Sequence, residues 1–343
     1  MKIGMMTAWN TDSGVAVYAE PVAKEWIKMG HEVIIFSHIK EDFHGEGFIG
    51  KDEDYVIRCF GTQKTNYLDP RPILTREFDI FVVLDLRMLP VDNLAKIFPL
   101  IRRTAKTVHI VHENTLPQEA WLYQFEWDGV IYFCKRQAFL NRVWPESKMI
   151  HFPCFPIRTE EKMKVRERLD LPLDKKIVYQ FCQRGYKPFL RELPAPLKEK
   201  AILLIVIPEE YEFLEEEHPP KWMVIRREKV LSRRRFDDYL FASDAAIFHK
   251  FQSRYAAAVV SSTVFQALGT GCPILVSGQS DFFVPFKEEI IRYTDTEDLK
   301  KTLIDLLEDG ERYNALRAKA EEFIKENSPQ RIAEEHIEFF HSL

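Results

Sequence analysis

Ser13 and Gly14 stand where a ligand site could be built from the chain's own backbone. They follow the apolar run KIGMMTAW and open a helical stretch that leads to the β-branched run VIIF. A helix that begins directly after a strand presents free N–H groups and the positive end of its dipole, and glycine lets a ligand approach the backbone closely. The pattern therefore predicts an anion or sugar site. It fits equally well an ordinary N-cap made by Asp12 or Ser13.

His112 is a second candidate, in the segment VHIVHENT at the end of a predicted strand. Ligands of open α/β sheets bind beyond the carboxyl ends of strands, so a histidine at this place is well positioned to meet a substrate. His109 lies three residues earlier, inside the strand, and we expect it to point to the opposite face and pack. A lone histidine is more often structural than catalytic, and for His112 both interpretations stay open.

Two cations follow another apolar run, in QFCQRGYKPF. Arg184 and Lys187 flank Gly185 at a predicted strand end, and such a group suits a diphosphate. A solvated basic loop is the alternative. The three arginines at 233–235, after Ser232, are instead predicted to form the exposed first turn of a helix.

Three hydroxyl side chains, those of Ser261, Ser262 and Thr263, precede an apolar helical pattern in VVSSTVFQALGTGCPILVSG. Two glycines and Pro273 end that helix and lead into a strand. The helix start suits a phosphate group and also an ordinary N-cap. The cations in the same half of the chain favour the phosphate site. Neither a Gly-x-Gly-x-x-Gly nor a Walker pattern is present, which argues against a dinucleotide or a P-loop nucleotide.

Short apolar runs must position these residues. Most are continuous, as strands buried on both faces of a parallel sheet are, and helical segments lie between several of them. In the first part they are KIGMMT, EVIIF, YVIRCF, DIFVVLD, KTVHIVH and DGVIYF. After a stretch rich in proline and charge near Met149, the rhythm restarts with KIVYQFC, AILLIVI, WMVIRR, DAAIFH, PILVSG and IIRYT.

This duplication predicts an α/β fold of two Rossmann-like, doubly wound domains that face each other across a cleft. We expect an N-terminal domain over 1–155, a C-terminal domain over 156–325, and a C-terminal helix over 326–343. A chain of 343 residues exceeds what one core usually serves. The apolar positions of SPQRIAEEHIEFFHSL are typical of an amphipathic helix.

Composition narrows the function classes. The formal charge of −5 argues against a protein held mainly by nucleic-acid phosphates. The five cysteines are odd in number and widely spaced, so neither a zinc site nor a disulfide framework is predicted, and a reducing cytoplasm is the simpler interpretation. We expect no signal peptide and no membrane span; contact with a membrane surface stays open.

Six segments spread along the chain carry a family resemblance. They are SGVAVYAEPVAKEWIKMGHEV, VHE, DGVIYFCKRQAF, KMIHFP, RGYK and QALGTGCPILVSG. In their order and approximate spacing they resemble the group 1 (family 4) retaining glycosyltransferases of the GT-B fold, over almost the whole chain. The N-terminal segment and ALGTGCPIL are the most specific. The resemblance also implies that the final helix crosses back to pack on the first domain.

The resemblance implies transfer of a sugar from a nucleotide diphosphate sugar to an acceptor, with retention of configuration and without a required metal. The nucleotide sugar is a co-substrate, and no bound cofactor is expected. The C-terminal domain would hold the nucleotide and the N-terminal domain a carbohydrate or lipid-linked acceptor. Gly14 would lie by the donor phosphates or the acceptor, and His112 would touch the donor sugar. Arg184 and Lys187 would neutralise the leaving diphosphate. The residues expected to bind the donor are Ser13, Gly14, Ser261, Ser262, Thr263 and Gln266.

The chain departs from the family at two positions. The family usually has two glutamates separated by seven residues, and here those positions hold Ala258 and Gln266. Gln266 can still hydrogen-bond ribose hydroxyls, whereas Ala258 cannot replace a carboxylate. The departure motivates an alternative, a catalytically inactive nucleotide-sugar-binding or scaffold protein with the same fold. A nucleotide-sugar epimerase is a weaker alternative.

Overall fold

The computed structural model describes residues 1–11, 13–42, 50–62, 65–112, 123–182, 188–209, 219–228, 233–250 and 260–343. Within these ranges the chain divides into two compact units. The first contains Met1–Pro153, Tyr255–Ser262 and Asn327–Leu343, and the second contains Cys154–Arg254 and Thr263–Glu326. The C-terminal segment therefore belongs with the N-terminal unit.

The first unit is built on an eight-stranded sheet. Its strands are β1 (Lys2–Met6), β2 (Glu32–His38), β3 (Val56–Gly61), β4 (Tyr67–Leu68), β5 (Ile80–Leu84), β6 (Lys106–Ile110), β7 (Gly129–Tyr132) and β8 (Ser147–Met149). Their order in space is β4-β3-β2-β1-β5-β6-β7-β8. All pairs are parallel except β3 with β4, and the strand order reverses between β1 and β5. This arrangement is a doubly wound sheet.

The second unit repeats the design with six strands. They are β9 (Lys176–Phe181), β10 (Ala201–Pro208), β11 (Met223–Glu228), β12 (Ala245–Phe248), β13 (Ile274–Ser277) and β14 (Ile291–Tyr293). Their order is β11-β10-β9-β12-β13-β14, and every pair is parallel. The predicted α/β class with two doubly wound parallel sheets is confirmed.

The described α-helices are α1 (Gly14–Lys28), α2 (Arg71–Leu74), α3 (Val91–Ile101), α4 (Lys162–Arg168), α5 (Arg233–Ala242), α6 (Ser262–Leu268), α7 (Thr296–Glu308), α8 (Gly310–Glu326) and α9 (Pro329–Ser342). None of them has the length and apolarity needed to cross a bilayer.

Burial explains why the strands carry continuous apolar runs. All five residues of β5 are buried, as are the last four of β1, because both sheet faces are covered. The final helix α9 contributes to this cover by packing on α1, where the rings of Trp26 and Phe340 lie 5.5 Å apart. Its apolar stripe is therefore part of the core of the first unit.

Candidate functional site

Ser13 caps helix α1. Its Oγ accepts a hydrogen bond from the backbone N–H of Ala16 at 3.2 Å, and it lies 2.9 Å from Oγ1 of the buried Thr11. Gly14 is the first residue of the helix. The N-cap interpretation of Ser13 is thus confirmed, and the N–H groups of the first turn lie beyond the carboxyl end of β1.

Gly14 and Ser262, two of the predicted site residues, lie next to each other. Ser262 groups with the first unit and begins α6. A methyl group on Gly14 would lie 3.1 Å from Oγ of Ser262, which is tighter than an ordinary contact. The absence of a side chain on Gly14 therefore leaves room for the Ser262 hydroxyl.

A polar network that the sequence analysis missed holds the connection between β1 and α1. Asn10, in the left-handed region at φ 52°, donates from its backbone N–H to the buried Glu20 at 3.0 Å. Its side-chain amide donates to Asp52 at 3.0 Å. Nε and Nη2 of Arg58 donate to the two oxygens of Asp52 at 2.7 and 2.6 Å. The hydrogen bond from Arg58, against the opposing effect of burial, lowers the pKa of Asp52 to about 2.

His112 lies two residues beyond β6, at the carboxyl edge of the first sheet. Its ring meets those of Tyr18 and Phe133 edge-on, at centroid distances of 5.6 and 4.8 Å. Burial lowers the pKa of His112 to about 4, and the nearby Asp85 opposes this only in part. The imidazole is therefore neutral at pH 7.

His109 packs in the core, as predicted. Its ring stacks on Trp127 at 5.0 Å and is 5% exposed. Burial, helped by the neighbouring His112, lowers the pKa of His109 to about 3. A neutral ring buried against an indole has a packing role.

Arg184 and Lys187 lie outside the described residues. The side chain of Gln180, near the end of β9, forms hydrogen bonds with the backbone of Leu190 on the other side of these two residues. Its Oε1 accepts from the backbone N–H of Leu190 at 2.8 Å, and its Nε2 donates to the carbonyl of Leu190 at 3.1 Å. Gln180 is buried, so this double hydrogen bond fixes both ends of the connection.

The predicted helix after the hydroxyl cluster is α6. Ser261 is buried just before it, and Ser262 and Thr263, which form its first turn, are half-buried. Past its end, Gly269 allows a close backbone approach: a methyl group there would lie 2.5 Å from the carbonyl oxygen of Phe155. The glycine is thus needed for packing in the second unit.

Gln266 on α6 has a partner that the sequence did not indicate. Its Nε2 donates to Oδ1 of Asp237 on α5 at 2.7 Å. Burial raises the pKa of Asp237 to about 6, although the hydrogen bond from Gln266 and the charges of Arg233 and Arg158 oppose that rise. Ala258, the other position at which the chain departs from the family, lies outside the described residues.

An aromatic group lies near the carboxyl ends of the second sheet, next to β12. His249 stacks on Phe189 with ring centroids 3.7 Å apart and planes at 6°. Its Nδ1 lies 2.8 Å from the hydroxyl of Tyr293. Burial lowers the pKa of His249. Nothing in the local sequence pattern indicated this group.

The arginines at 233–235 do begin a helix, α5, as predicted, but only Arg234 is exposed. The Arg233 guanidinium lies over the ring of Phe155 at 5.7 Å, and Arg235 pairs with Glu228 at 2.9 Å. The prediction of a wholly exposed turn was wrong for Arg233 and Arg235, because the Arg233 guanidinium packs on a ring and the Arg235 guanidinium forms an ion pair.

Across the described ranges, no three His, Cys, Asp or Glu side chains are grouped so as to hold a metal ion.

No protein-family model matches the chain. Solved structures, in contrast, match it over its full length. Anabaena HepE in complex with UDP-glucose is 12% identical, with a TM-score of 0.66 and complete coverage of both chains. An α-glucosyltransferase (AGT) in complex with UDP is 14% identical, with a TM-score of 0.64, and the match covers 99% of this chain and 100% of that one. The trehalose-6-phosphate synthase OtsA is 9% identical, with a TM-score of 0.68, and the match covers 100% of this chain and 99% of that one.

The chain has the GT-B fold. At this level of identity the likeness shows the fold alone. The described residues of the predicted site lie in the first turn of α1, at His112 after β6, and at the start and middle of α6. The start of α1 and His112 follow the carboxyl ends of β1 and β6, where open α/β sheets bind their ligands.

Proposed function

We propose that the chain is a glycosyltransferase that moves a sugar from a nucleotide diphosphate sugar to an acceptor hydroxyl with retention of configuration. The observation that carries the proposal is the full-length likeness to GT-B structures, of which HepE was solved with UDP-glucose and AGT with UDP. The protein is proposed to work in the cytoplasm, in solution or at a membrane surface, on a carbohydrate or lipid-linked acceptor.

The connection that carries Arg184 and Lys187 and the start of α6 would bind the nucleotide. Arg184 and Lys187 would neutralise the diphosphate, so the proposal needs no metal ion for that charge. The hydroxyl groups of Ser261, Ser262 and Thr263 would donate to phosphate oxygens. The double hydrogen bond between Gln180 and Leu190 supports this role, because it fixes the ends of the connection that carries both cations.

Gln266 would accept a hydrogen bond from a ribose hydroxyl. Asp237 accepts the Nε2 donor, so the amide is oriented and Oε1 is left as the acceptor. An oriented amide can take over one function of the glutamate that the family usually carries, which is to accept from a hydroxyl. It cannot supply the negative charge.

The first unit would hold the acceptor and contact the donor sugar through the first turn of α1, with Ser13 and Gly14, and through His112. A neutral imidazole can exchange a hydrogen bond with a sugar hydroxyl without bringing a charge. In the proposed reaction the bond between the anomeric carbon and the diphosphate oxygen breaks while the acceptor oxygen bonds to the same face. The acceptor proton goes to an oxygen of the leaving diphosphate.

A nucleotide panel followed by kinetics tests the proposal. A thermal-shift screen with UDP, GDP, ADP and their sugar conjugates should identify one base that binds, because a ligand that binds only the native state raises its melting temperature. Calorimetry then gives the affinity. Arg184→Ala with Lys187→Ala should then lower transfer by about a hundredfold or more. Arg234→Ala, an exposed arginine on α5, is the matched control. Turnover close to wild type in the double variant would contradict the assignment.

An inactive nucleotide-sugar-binding or scaffold protein is the second candidate, favoured by Ala258 and Gln266 at the two usual glutamate positions. It predicts tight binding of one nucleotide sugar with neither transfer nor hydrolysis. Binding of none of the nucleotides would count against both candidates.

A further inference from the structure

Tyr18, one turn into α1, has a completely buried side chain whose hydroxyl requires a hydrogen-bond partner. The partner comes from the far end of the chain: Nε2 of His336 on α9 lies 2.6 Å from the Tyr18 oxygen. Both residues belong to the first unit. A hydrogen bond therefore connects the C-terminal helix to the helix that starts at Gly14.

The proton arrangement of this contact follows from its second half. Nδ1 of His336 lies 2.6 Å from the carbonyl oxygen of Ile332, which can only accept. Nδ1 must therefore carry a hydrogen. Burial lowers the pKa of His336 to about 4, so the ring is neutral at pH 7 and Nε2 is free of a proton. Tyr18 consequently donates and His336 accepts.

Tyr18 also contacts His112. The two rings meet edge-on at 5.6 Å, and Phe133 touches both, at 4.9 Å from Tyr18 and 4.8 Å from His112. Nε2 of His112 is buried, and no described residue offers it a hydrogen bond. Among the described residues, Tyr18 and Phe133 are the rings that contact this imidazole.

We propose that Tyr18, held by His336 of the C-terminal helix, is a positioning residue that sets the orientation of His112. The inference rests on the proposed function in one respect, the contact between His112 and the donor sugar. The inference adds that α9 influences the reaction without contacting the substrate, through the hydroxyl and the ring of Tyr18.

Tyr18→Phe tests the inference because it keeps the ring and removes the hydroxyl. In the full chain we expect transfer to fall about tenfold in kcat, with a small change in the KM of the donor. In a His112→Ala background the same change should cost less than about twofold, because a residue that acts through His112 has nothing left to position. Equal losses in both backgrounds would overturn the inference.

Phe339→Leu is the matched control for a mere loss of α9 packing. Phe339 is buried on the same helix but packs at β7, where a methyl group on Gly129 would lie 2.9 Å from its ring. We expect this variant to lose thermal stability and keep kcat. An equal fall of kcat in Phe339→Leu and Tyr18→Phe would show that Tyr18 acts only through stability.

Histidine-selective ¹⁵N NMR gives a readout that needs no activity. Tyr18→Phe should shift or broaden the His112 imidazole signals, whereas Phe339→Leu should leave them in place. Unchanged His112 signals in Tyr18→Phe would overturn the inference. Should the wild-type chain turn over no nucleotide sugar, the proposed function fails, and these signals still decide whether Tyr18 positions His112.

Discussion

Gln266 and Asp237 join α6 to α5 through a hydrogen bond of 2.7 Å from Nε2 to Oδ1. Burial raises the pKa of Asp237 to about 6, whereas an aspartate in an unfolded chain titrates near 3.9. Between these two values the native state binds more protons than the unfolded state. The free energy of unfolding therefore falls as the pH rises from about 4 to 6, and is constant above that range as far as Asp237 is concerned.

Asp237→Asn should remove the fall in the free energy of unfolding between about pH 4 and pH 6. Relative to wild type, the variant should gain about 1–3 kcal/mol in free energy of unfolding between pH 4 and pH 7, measured by urea denaturation at both pH values. Asp238→Asn is the adjacent control and should instead destabilise, because Asp238 pairs with Arg158 at 2.5 Å and Arg168 at 3.0 Å. Parallel stability curves for wild type and Asp237→Asn would contradict the raised pKa of Asp237.

Buried histidines should make the first unit acid-sensitive. Burial lowers the pKa values of His336 and His112 to about 4. Between about pH 6.5 and pH 4 these histidines are therefore protonated in the unfolded chain and neutral in the native state. Each should cost about 1.4 kcal/mol of stability per pH unit between 6.5 and 4. His336→Gln should be less stable at pH 7 but show a shallower slope. His341→Gln, at an exposed position of the same helix, is the control substitution.

The ion pair of Arg58 with Asp52 should matter far more than a surface pair. Arg58 is largely buried, and Arg58→Gln would leave Asp52 without its two strongest donors. We expect a loss of about 2–3 kcal/mol at pH 7. Because the pKa of Asp52 is lowered to about 2, the difference from wild type should shrink as the pH falls from 4 to 2.

Arg71→Gln is the control for that experiment. Arg71 pairs with Asp69 at 2.8 Å, with its side chain 82% exposed, so its removal should not change stability measurably. Chemical denaturation of both variants decides the point, and similar losses would mean that burial adds nothing to the Arg58 pair.

Ser13 and Ser328 allow capping to be separated from ligand binding. Each caps its helix by accepting a backbone N–H at 3.2 Å, in α1 and α9 respectively. Replacing either by Ala should cost about 1 kcal/mol of stability. Only Ser13→Ala should also weaken binding of the nucleotide sugar, as measured by calorimetry at a temperature where both variants are folded. Equal affinities would leave Ser13 as a cap and nothing more.

The strands were predictable because their signal is local. Continuous apolar runs such as IFVVL, all buried in β5, identify strands covered on both faces. β4 and β8 escaped prediction, since they have two and three residues and no residue in either is fully buried. The helix starts at Gly14 and Ser262 were also readable, because turn and cap residues lie next to the helices that they begin.

The partners of the site residues were not predictable in the same way. Tyr18 and His336 are 318 positions apart, and Gln266 and Asp237 are 29 apart, so no periodicity or spacing connects them. Such pairs arise only once the sheet order brings distant elements together. The half-buried state of Arg233 and Arg235 was missed for the same reason, because Phe155 and Glu228 come from other elements.

The packing of α9 on α1 has a consequence for biosynthesis. α9 is translated after every other described element, yet it covers Tyr18 and Trp26, which are among the first residues made. The first unit therefore cannot complete its core while the second unit is being synthesised, although domains generally fold in order from the N-terminus. A nascent chain of this protein should expose these two rings to chaperones until α9 has left the ribosome.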